Sequence, residues 1–309
     1  MNANSDFLTI HKGKKKNLGN LYPNRYGYPY ILPALIILLF LGLMPFLYNI
    51  WLSMTDKYLA STSAPKFIGL VNYGAILTDK GFWSAAKNTL IYVVGTVTVE
   101  FILGFALAII FQLKFRGKRL MRSLILIPMI AAPIAISFMW RIILNPNMGV
   151  LNYLTQLMGL GKILWLGEPT LAMITVIMVD IWQWTPFVFI ILCAGIAALP
   201  SNPFEACLID GGSFWQALRF VMIPLLKPII IITLIFRLVD SIKAFDTIFI
   251  LTAGGPGVAT ETLNIQTYLT AFKYFRVGYA AALSILILII IMTITKFLTK
   301  KADLNFENK

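Results

Sequence analysis

The sequence has 309 residues, of which 59% are hydrophobic, and a formal net charge of +13. Soluble domains of this length rarely exceed half apolar residues, so the composition excludes an ordinary soluble protein and indicates an integral membrane protein. The basic residues cluster at the ends of apolar runs, which is a pattern of membrane topology and argues against a nucleic-acid partner.

Six apolar runs are long enough to cross a lipid bilayer, which needs about 20 apolar residues per helix. They lie near residues 29–54, 87–112, 122–144, 170–193, 226–251 and 278–298. We therefore predict an all-α fold, a polytopic bundle of six transmembrane helices. The first run is too long for a signal-peptide core, so we expect it to be retained. The expected organisation is a basic tail over 1–25, a membrane domain over 26–300 and a short tail over 301–309.

The distribution of lysine and arginine predicts the orientation. With the N-terminus in the cytosol, the inner segments hold about twice as many of these residues as the outer segments. We expect both tails in the cytosol, together with the segment 194–225. The tail over 1–25 is interpreted as a topology signal that contacts lipid headgroups.

Polar and aromatic residues inside the second and fourth runs are candidates for function. Asn88 and Glu100 lie in the second run and Asp180 in the fourth. An intramembrane carboxylate is usually paired across the bundle or faces a water-filled path. Trp182 and Trp184 follow Asp180, and their indole faces suit the apolar C–H patches of sugar rings. Plain packing or an interfacial position is the alternative for both tryptophans.

The segment 201–228 carries more specified local structure than a membrane crossing needs. Asn202 is predicted to cap a short helix, with Glu205 reaching back as the partner in a capping box. Gly211 can adopt the left-handed conformation that ends this helix. The sequence therefore predicts a first short helix before the glycine pair.

A second short helix is predicted after the glycine pair. Ser213 and Gln216 repeat the capping-box spacing, and we expect Pro224 to close the helix. Apolar residues share one face of each helix, and such a face must be buried against the protein's own helix ends or in the groove of a partner. The face residues are Phe204, Cys207 and Leu208 on the first helix and Trp215, Leu218 and Arg219 on the second.

The fifth run contains charges of alternating sign at intervals of three residues, namely Arg237, Asp240, Lys243 and Asp246. This spacing keeps them near one side of a helix, and facing lipid would be costly. They form either an ion-paired seam between helices or a polar wall of a translocation path. The candidates for that path are Asn88, Asp180, Trp182, Trp184, Asp240, Lys243, Phe245 and Asp246.

The spacing over residues 205–228 resembles the EAA motif of ABC importer permeases. The residues that match are Glu205, Ala206, Asp210, Gly211, Pro224 and Pro228, whereas Cys207 and Gly212 replace alanines. The glycine-rich turn at 252–262 and its flanks over 244–282 resemble the carbohydrate-uptake branch of these permeases. The pattern is similar to the first-subunit type, which serves glycerol phosphate and oligosaccharides.

This resemblance implies a transport subunit rather than an enzyme, in a bacterial cytoplasmic membrane. The implied partners are a second homologous permease subunit, two cytosolic ATPase subunits, an external solute-binding protein and a carbohydrate substrate. ATP and Mg would bind to the ATPase subunits, and this chain would bind no cofactor or metal. A coupling loop at about 200–225 would contact an ATPase through Glu205, Ala206, Asp210, Gly211, Gly212, Trp215 and Pro224.

Two other classes of protein compete with this interpretation. An ion-coupled secondary transporter of a small polar solute could use Glu100, Asp180 or Asp240 as its coupling site, although no internal repeat is evident. A membrane enzyme would need a cluster of histidine, cysteine or carboxylate residues, and the one histidine, His11, lies in the basic tail.

Overall fold

The computed structural model describes residues 28–301, so the predicted tail over 1–25 and all but the first residue of the tail over 301–309 lie outside the described residues. Within 28–301 the regular structure is helical, apart from one isolated β-bridge between Thr55 and Phe67. Five helices are long and apolar enough to cross a membrane, or six if one bent pair is a single span. The predicted all-α membrane bundle is therefore confirmed.

The chain divides into two compact units, with the boundary between Trp51 and Leu52. The described part of the first unit contains α1 (Tyr28–Leu38), a π-helical turn (Leu39–Leu43) and the start of α2 (Met44–Ser53). Together these elements form an apolar helix whose side chains are almost all exposed. Such a surface needs lipid or protein around it.

The second unit holds the remaining helices, connected by turns and short loops. They are α3 (Val71–Thr78), α4 (Lys80–Ile110), α5 (Lys118–Ile130), α6 (Pro133–Ile143), α7 (Val150–Leu157), α8 (Pro169–Ala197), α9 (Asn202–Ile209), α10 (Phe214–Gln216), α11 (Ile223–Ile242), α12 (Asp246–Thr252), α13 (Leu263–Tyr268) and α14 (Val277–Lys301). Two π-helical segments, Ala217–Met222 and Leu269–Lys273, follow α10 and α13.

The long helices α4 and α8 pack closely along each other at the centre of the second unit. At Gly104 an added Cβ atom would lie 2.8 Å from the Cβ atom of Val188, so glycine permits the close approach. Buried aliphatic and aromatic side chains fill the space on both sides of this contact, including Tyr92, Phe111 and Phe189. The contact fixes the frame on which the polar side chains of both helices are placed.

The third predicted span, over 122–144, is not one straight helix. It consists of α5 and α6, which meet at an angle of 96°. Pro133 begins α6, and a proline disfavours helical geometry in the residue before it. Ala132 accordingly has ψ of 134°, and Ala131 is also extended with ψ of 146°. The apolar run indicated the membrane segment but not its bend.

The fifth predicted span is also interrupted. A helical path runs over Phe214–Thr252, but residues 243–245 leave the helical conformation between α11 and α12. The backbone carbonyl of Lys243 at this break accepts a hydrogen bond of 2.6 Å from the Asn264 side chain. Irregular backbone at membrane depth is tolerated where it is buried in protein or lines a cavity.

Hydrogen bonds place three connecting segments at the same end of the second unit. The Gly278 amide donates to the Lys57 carbonyl at 2.9 Å. The Asn88 side chain donates to the Val258 carbonyl at 2.8 Å, and the Arg141 side chain donates to the Ile250 carbonyl at 3.1 Å. The segment between α8 and α11 lies at the other end of these helices, as an alternating series of crossings requires.

Candidate functional site

A buried ion-pair cluster joins α4, α8 and α11. The guanidinium of Arg237 donates to Glu100 through Nε at 2.6 Å and through Nη2 at 2.8 Å. The same Nη2 donates to Oδ2 of Asp180 at 3.1 Å. The three side chains are at most 5% exposed. A pair of opposite charges is tolerated in such surroundings because each group satisfies the hydrogen bonds of the other.

The cluster contains Arg237, the first of the four regularly spaced charged residues of the fifth span. Arg237 belongs to a seam between helices, which was one of the two alternatives for these residues. It also lies over the indole of Trp184, with 5.2 Å from the guanidinium carbon to the ring centroid. The geometry therefore holds Trp184, Asp180 and Arg237 in one fixed group.

A cavity of about 300 Å³ lies beside the ion-pair cluster, at the break between α11 and α12. Its wall includes Pro133 at the bend before α6 and the hydroxyl residues Ser241 and Thr247. Most of the predicted path residues line it, namely Asp180, Trp184, Asp240, Lys243, Phe245 and Asp246. The break at 243–245 lets this short stretch of chain present charged and aromatic side chains to one space.

Asp240 and Lys243 differ from Arg237 in their exposure. Their side chains are 49% and 56% exposed, and their charged atoms lie 3.8 Å apart. Ion pairs with this much solvent contribute little to stability, typically about 0–1 kcal/mol. Asp240 and Lys243 therefore line the cavity as half-exposed residues, whereas Arg237 forms the seam; that the two residues belong to a translocation path stays a prediction.

Two predicted path residues lie away from the cavity. Asn88 donates its side-chain amide to the carbonyls of Val258 and Glu261, at 2.8 and 3.2 Å, and so ties the glycine-rich turn to α4. Trp182 contacts Trp140 edge to face, with ring centroids 5.5 Å apart, and borders a separate apolar groove between α4, α5 and α8. Nothing in the local sequence pattern separates these positions from those that line the cavity.

The first short helix of the predicted coupling loop is α9. The prediction that Asn202 caps it is wrong, because Asn202 is already helical and the preceding Ser201 makes no side-chain capping bond. The carbonyl of Ser201 accepts the amides of Phe204 and Glu205 at 2.9 and 3.0 Å, so the helical hydrogen bonds begin one residue earlier. The predicted end is confirmed, since Gly211 has φ of 75°.

The second short helix begins as predicted and does not end as predicted. Its capping box is confirmed, because the Gln216 side chain accepts the Ser213 amide at 2.7 Å and the Ser213 hydroxyl accepts the Gln216 amide at 3.4 Å. Pro224 does not close the helix. It lies in the first turn of α11, after the π-helical segment Ala217–Met222, where a missing amide donor is tolerated.

Large apolar side chains are exposed along this segment. We define the exposed loop surface as Leu208, Ile209, Phe214, Trp215 and Phe220, whose exposures range from 55% to 85%. Of the predicted face residues, Leu208 and Trp215 belong to this surface, whereas Leu218 is buried. The predicted faces missed Ile209, Phe214 and Phe220, and of these Phe220 lies in the π-helical segment, where the helical period of α9 and α10 does not apply.

The glycine pair sets the angle between the two short helices. A Cβ atom added at Gly212 would lie 2.8 Å from the carbonyl oxygen of Cys207 and against its Sγ atom. The charged residues Glu205 and Asp210 lie beside the exposed loop surface and are themselves exposed. Among residues 28–301, no group of three or more histidine, cysteine, aspartate or glutamate residues could hold a metal ion.

Comparison with known proteins identifies the family. Residues 100–303 match the family described as "Binding-protein-dependent transport system inner membrane component". A probable ABC transporter permease protein of Sinorhizobium fredii, y4oQ, is 38% identical over 85% of this chain and 84% of its own length. The trehalose/maltose transport system permease protein MalF of Thermococcus litoralis is 33% identical over 88% of this chain and 91% of its own length.

Solved structures support the same fold. A chain of a bacterial ABC transporter involved in the import of the acidic polysaccharide alginate superimposes with a TM-score of 0.78 at 20% identity, over 92% of this chain and 97% of that chain. At this identity the likeness concerns the fold alone. Family match, relatives and fold agree with the EAA resemblance over 205–228, and the chain belongs to the inner-membrane components of binding-protein-dependent transport systems, the permease subunits of ABC transporters.

Proposed function

We propose that this chain is the transmembrane subunit of an ATP-driven importer that moves a carbohydrate, delivered by an external solute-binding protein, across a bacterial cytoplasmic membrane. Relatives named for trehalose and maltose transport support the substrate class. A similarly folded chain belongs to an alginate transporter in complex with a pentasaccharide-bound periplasmic protein, which supports the external partner. The observation that carries the proposal is the exposed loop surface on a segment with the EAA spacing.

The exposed loop surface is proposed to dock in a groove of a cytosolic ATPase subunit. Aromatic side chains such as Phe214 and Trp215 are the usual anchors of protein interfaces when they are buried by a partner. Their rings already contact each other edge to face at 5.5 Å, so the surface is partly preorganised. Glu205 and Asp210 at its edge can pair with basic residues of that partner.

The remaining residues of the EAA motif are proposed to shape the loop rather than to contact the ATPase strongly. Gly211 and Gly212 permit the tight turn, and Ala206 is a small exposed residue of α9. Pro224 lies in the first turn of α11, the helix that carries Arg237. Movement of the loop by ATP binding would therefore reach the ion-pair cluster through a continuous helical path, Phe214–Thr252.

The cavity beside the ion-pair cluster is proposed to form part of the substrate path. Trp184 and Phe245 offer aromatic faces, and Asp240 and Asp246 offer hydrogen-bond acceptors in the same wall. Saccharide sites combine these elements, because a sugar ring has apolar C–H patches and hydroxyl donors. The half-exposed Asp240 and Lys243 leave the wall incomplete in one chain, which supports a second homologous permease subunit opposite it.

The proposed orientation places both termini and the exposed loop surface in the cytosol. Basic residues support it, because they are about twice as frequent in the segments that would be inside. Two ATPase subunits, one for each permease subunit, would bind ATP and Mg there.

Uptake by right-side-out vesicles tests the proposal. The assembled complex is reconstituted with ATP sealed inside, and radiolabelled trehalose or maltose is added outside with the solute-binding protein. Uptake is expected to need internal ATP and to persist when ionophores dissipate all ion gradients. Uptake that continues without ATP and stops with ionophores would instead identify an ion-coupled transporter.

A further inference from the structure

Both cations that line the cavity already have acidic partners. Arg237 forms three hydrogen bonds with Glu100 and Asp180, and its guanidinium covers the ring of Trp184. Lys243 has its ammonium nitrogen 3.8 Å from a carboxylate oxygen of Asp240. Arg237 cannot pair with a new anion without giving up an existing contact, and the charge of Lys243 is partly offset by Asp240.

The acidic residues of the cavity wall outnumber the basic ones. Asp180, Asp240 and Asp246 line the cavity together with Arg237 and Lys243. Asp246 forms no ion pair with any residue in the part of the chain that the structure describes. Its carboxylate lies in the first turn of α12, directly after Phe245. The wall therefore combines an aromatic face with a surplus of negative charge.

We propose that this cavity accepts a neutral saccharide and discriminates against a saccharide that carries a carboxylate or phosphate group. This inference rests on the proposed function and specifies its substrate class. An anionic sugar would lose hydration on entry and would find, in the wall that this chain contributes, no cation without an acidic partner, while Asp246 would repel it. The hydroxyl groups of a neutral sugar can donate to Asp240 and Asp246, and its C–H faces can contact Trp184 and Phe245.

Matched pairs of saccharides provide the probes for the test. Radiolabelled di- and trisaccharides of the gluco, galacto and manno series are used, each in its neutral form and in the form oxidised to a carboxylate at C6. Binding is measured on the complete complex of permease and ATPase subunits in lipid nanodiscs. The external binding protein is omitted from this measurement because it has a selectivity of its own.

We expect at least one neutral saccharide to bind at a concentration about tenfold lower than its carboxylate form, since one repelling charge in a partly dry site is worth about this factor. Raising the salt concentration should reduce the ratio, because salt screens the exposed charges. Asp246→Lys should remove most of the discrimination. Glu168→Lys makes the same charge change at an exposed position outside the cavity and should leave the ratio unchanged.

The possible failures are distinguishable. A carboxylate form that binds the unaltered complex as tightly as its neutral partner overturns the inference and leaves the importer intact. If Asp246→Lys leaves the ratio between the neutral and carboxylate forms unchanged, the inference fails as well, because the charge of the cavity wall would then not determine which form binds. If no saccharide of any series binds or is taken up in the vesicle assay, the proposed function itself fails, and this inference fails with it.

Discussion

The ion-pair cluster and the exposed loop surface place side chains in opposite ways. In the cluster, the ionisable side chains of Arg237, Glu100 and Asp180 are nearly inaccessible to solvent. In the loop, Ile209 and Trp215 are apolar and are 85% and 73% exposed. Burial of such polar groups costs free energy unless they are paired within the protein. Exposure of large apolar side chains to water costs free energy unless a partner covers them.

The difference shows how function divides between the two regions. The cluster satisfies its own charges within one chain, so it defines the relative positions of α4, α8 and α11. The exposed loop surface has large apolar side chains that no other part of the described chain covers, which is why we propose that an ATPase subunit covers it. Changes in the cluster should therefore affect the folded subunit, whereas changes in the loop surface should affect coupling in an intact subunit.

Removing the cation of the cluster should have the largest effect. Arg237→Met leaves Glu100 and Asp180 buried without compensation, which typically costs about 3–5 kcal/mol. We expect a large fall in the amount and thermal stability of the detergent-extracted complex, measured by size-exclusion chromatography after heating. The matched control combines Arg237→Met with Glu100→Gln and Asp180→Asn, which should recover much of the stability. An Arg237→Met complex as stable as the parent would contradict the structural role of the cluster.

Altering the loop surface should leave the subunit folded and reduce transport. Trp215→Ser removes an interface anchor whose loss typically costs about 2 kcal/mol or more of binding, so ATP-coupled uptake should fall at least about tenfold. Thermal stability of the isolated permease should change by less than about 0.5 kcal/mol, as for other surface changes. Leu113→Ser, at an exposed apolar position outside the loop, is the control and should transport normally. Normal uptake by Trp215→Ser would remove the docking role.

Overpacking the contact between α4 and α8 should have an intermediate effect on stability. The contact lies close to the ion-pair cluster on the same two helices. Gly104→Ala places a Cβ atom 2.8 Å from Val188 and 3.0 Å from the Phe189 amide, one helical turn from Glu100. Overpacking of this kind costs about 1–3 kcal/mol. Gly74→Ala is the control, since its added Cβ atom would meet nothing within 4 Å. Equal melting temperatures for the two variants would show that the α4–α8 contact is not tight.

Neutralising the exposed pair should have the smallest effect on stability. Asp240→Asn and Lys243→Met each remove one member of a half-exposed ion pair, so the free energy of unfolding should change by about 0–1 kcal/mol. Uptake should nevertheless fall, because both side chains line the proposed substrate path. Stability is measured by thermal unfolding and transport by vesicle uptake. Full transport by both variants would show that the pair does not belong to that path.

The sequence predicted features that depend on neighbouring residues. The lengths of the apolar runs indicated the spans, and the spacing of Ser213 and Gln216 predicted their reciprocal hydrogen bonds. Gly211 was recognised as the left-handed end of α9. In each of these predictions, the residues that interact lie within a few positions of each other, or the residue acts through its own backbone.

Features that depend on the packing of distant helices could not be predicted. Glu100 and Arg237 are 137 positions apart, and Asp180 is 57 positions from Arg237. The helical period gives the face on which each charge lies but not the rotation of that helix against its neighbours. For the same reason the sequence could not separate Asn88, which holds a turn, from Asp240, which lines the cavity.

Interruptions of the helical backbone also limited what could be predicted from the sequence. The predicted span over 122–144 did not include the break before Pro133, since the extended pair of residues and the resulting 96° bend depend on how α5 and α6 pack. Pro224 has the same covalent chemistry but does not end a helix, because it follows the π-helical segment Ala217–Met222 and lies in the first turn of α11. A proline constrains one residue and its predecessor, whereas its consequence depends on the hydrogen bonds available around it.

Site-specific cross-linking of the exposed loop surface tests the central claim most directly. Ile209→Cys is introduced into a chain with Cys193→Ser and Cys207→Ser, and the active complex is treated with a short bifunctional reagent. We predict a cross-link to an ATPase subunit that a membrane-impermeant thiol reagent blocks only from the cytosolic side, whereas Leu70→Cys at the opposite end gives none. An active complex in which Ile209→Cys captures no ATPase, or is labelled from outside the cell, would contradict the account.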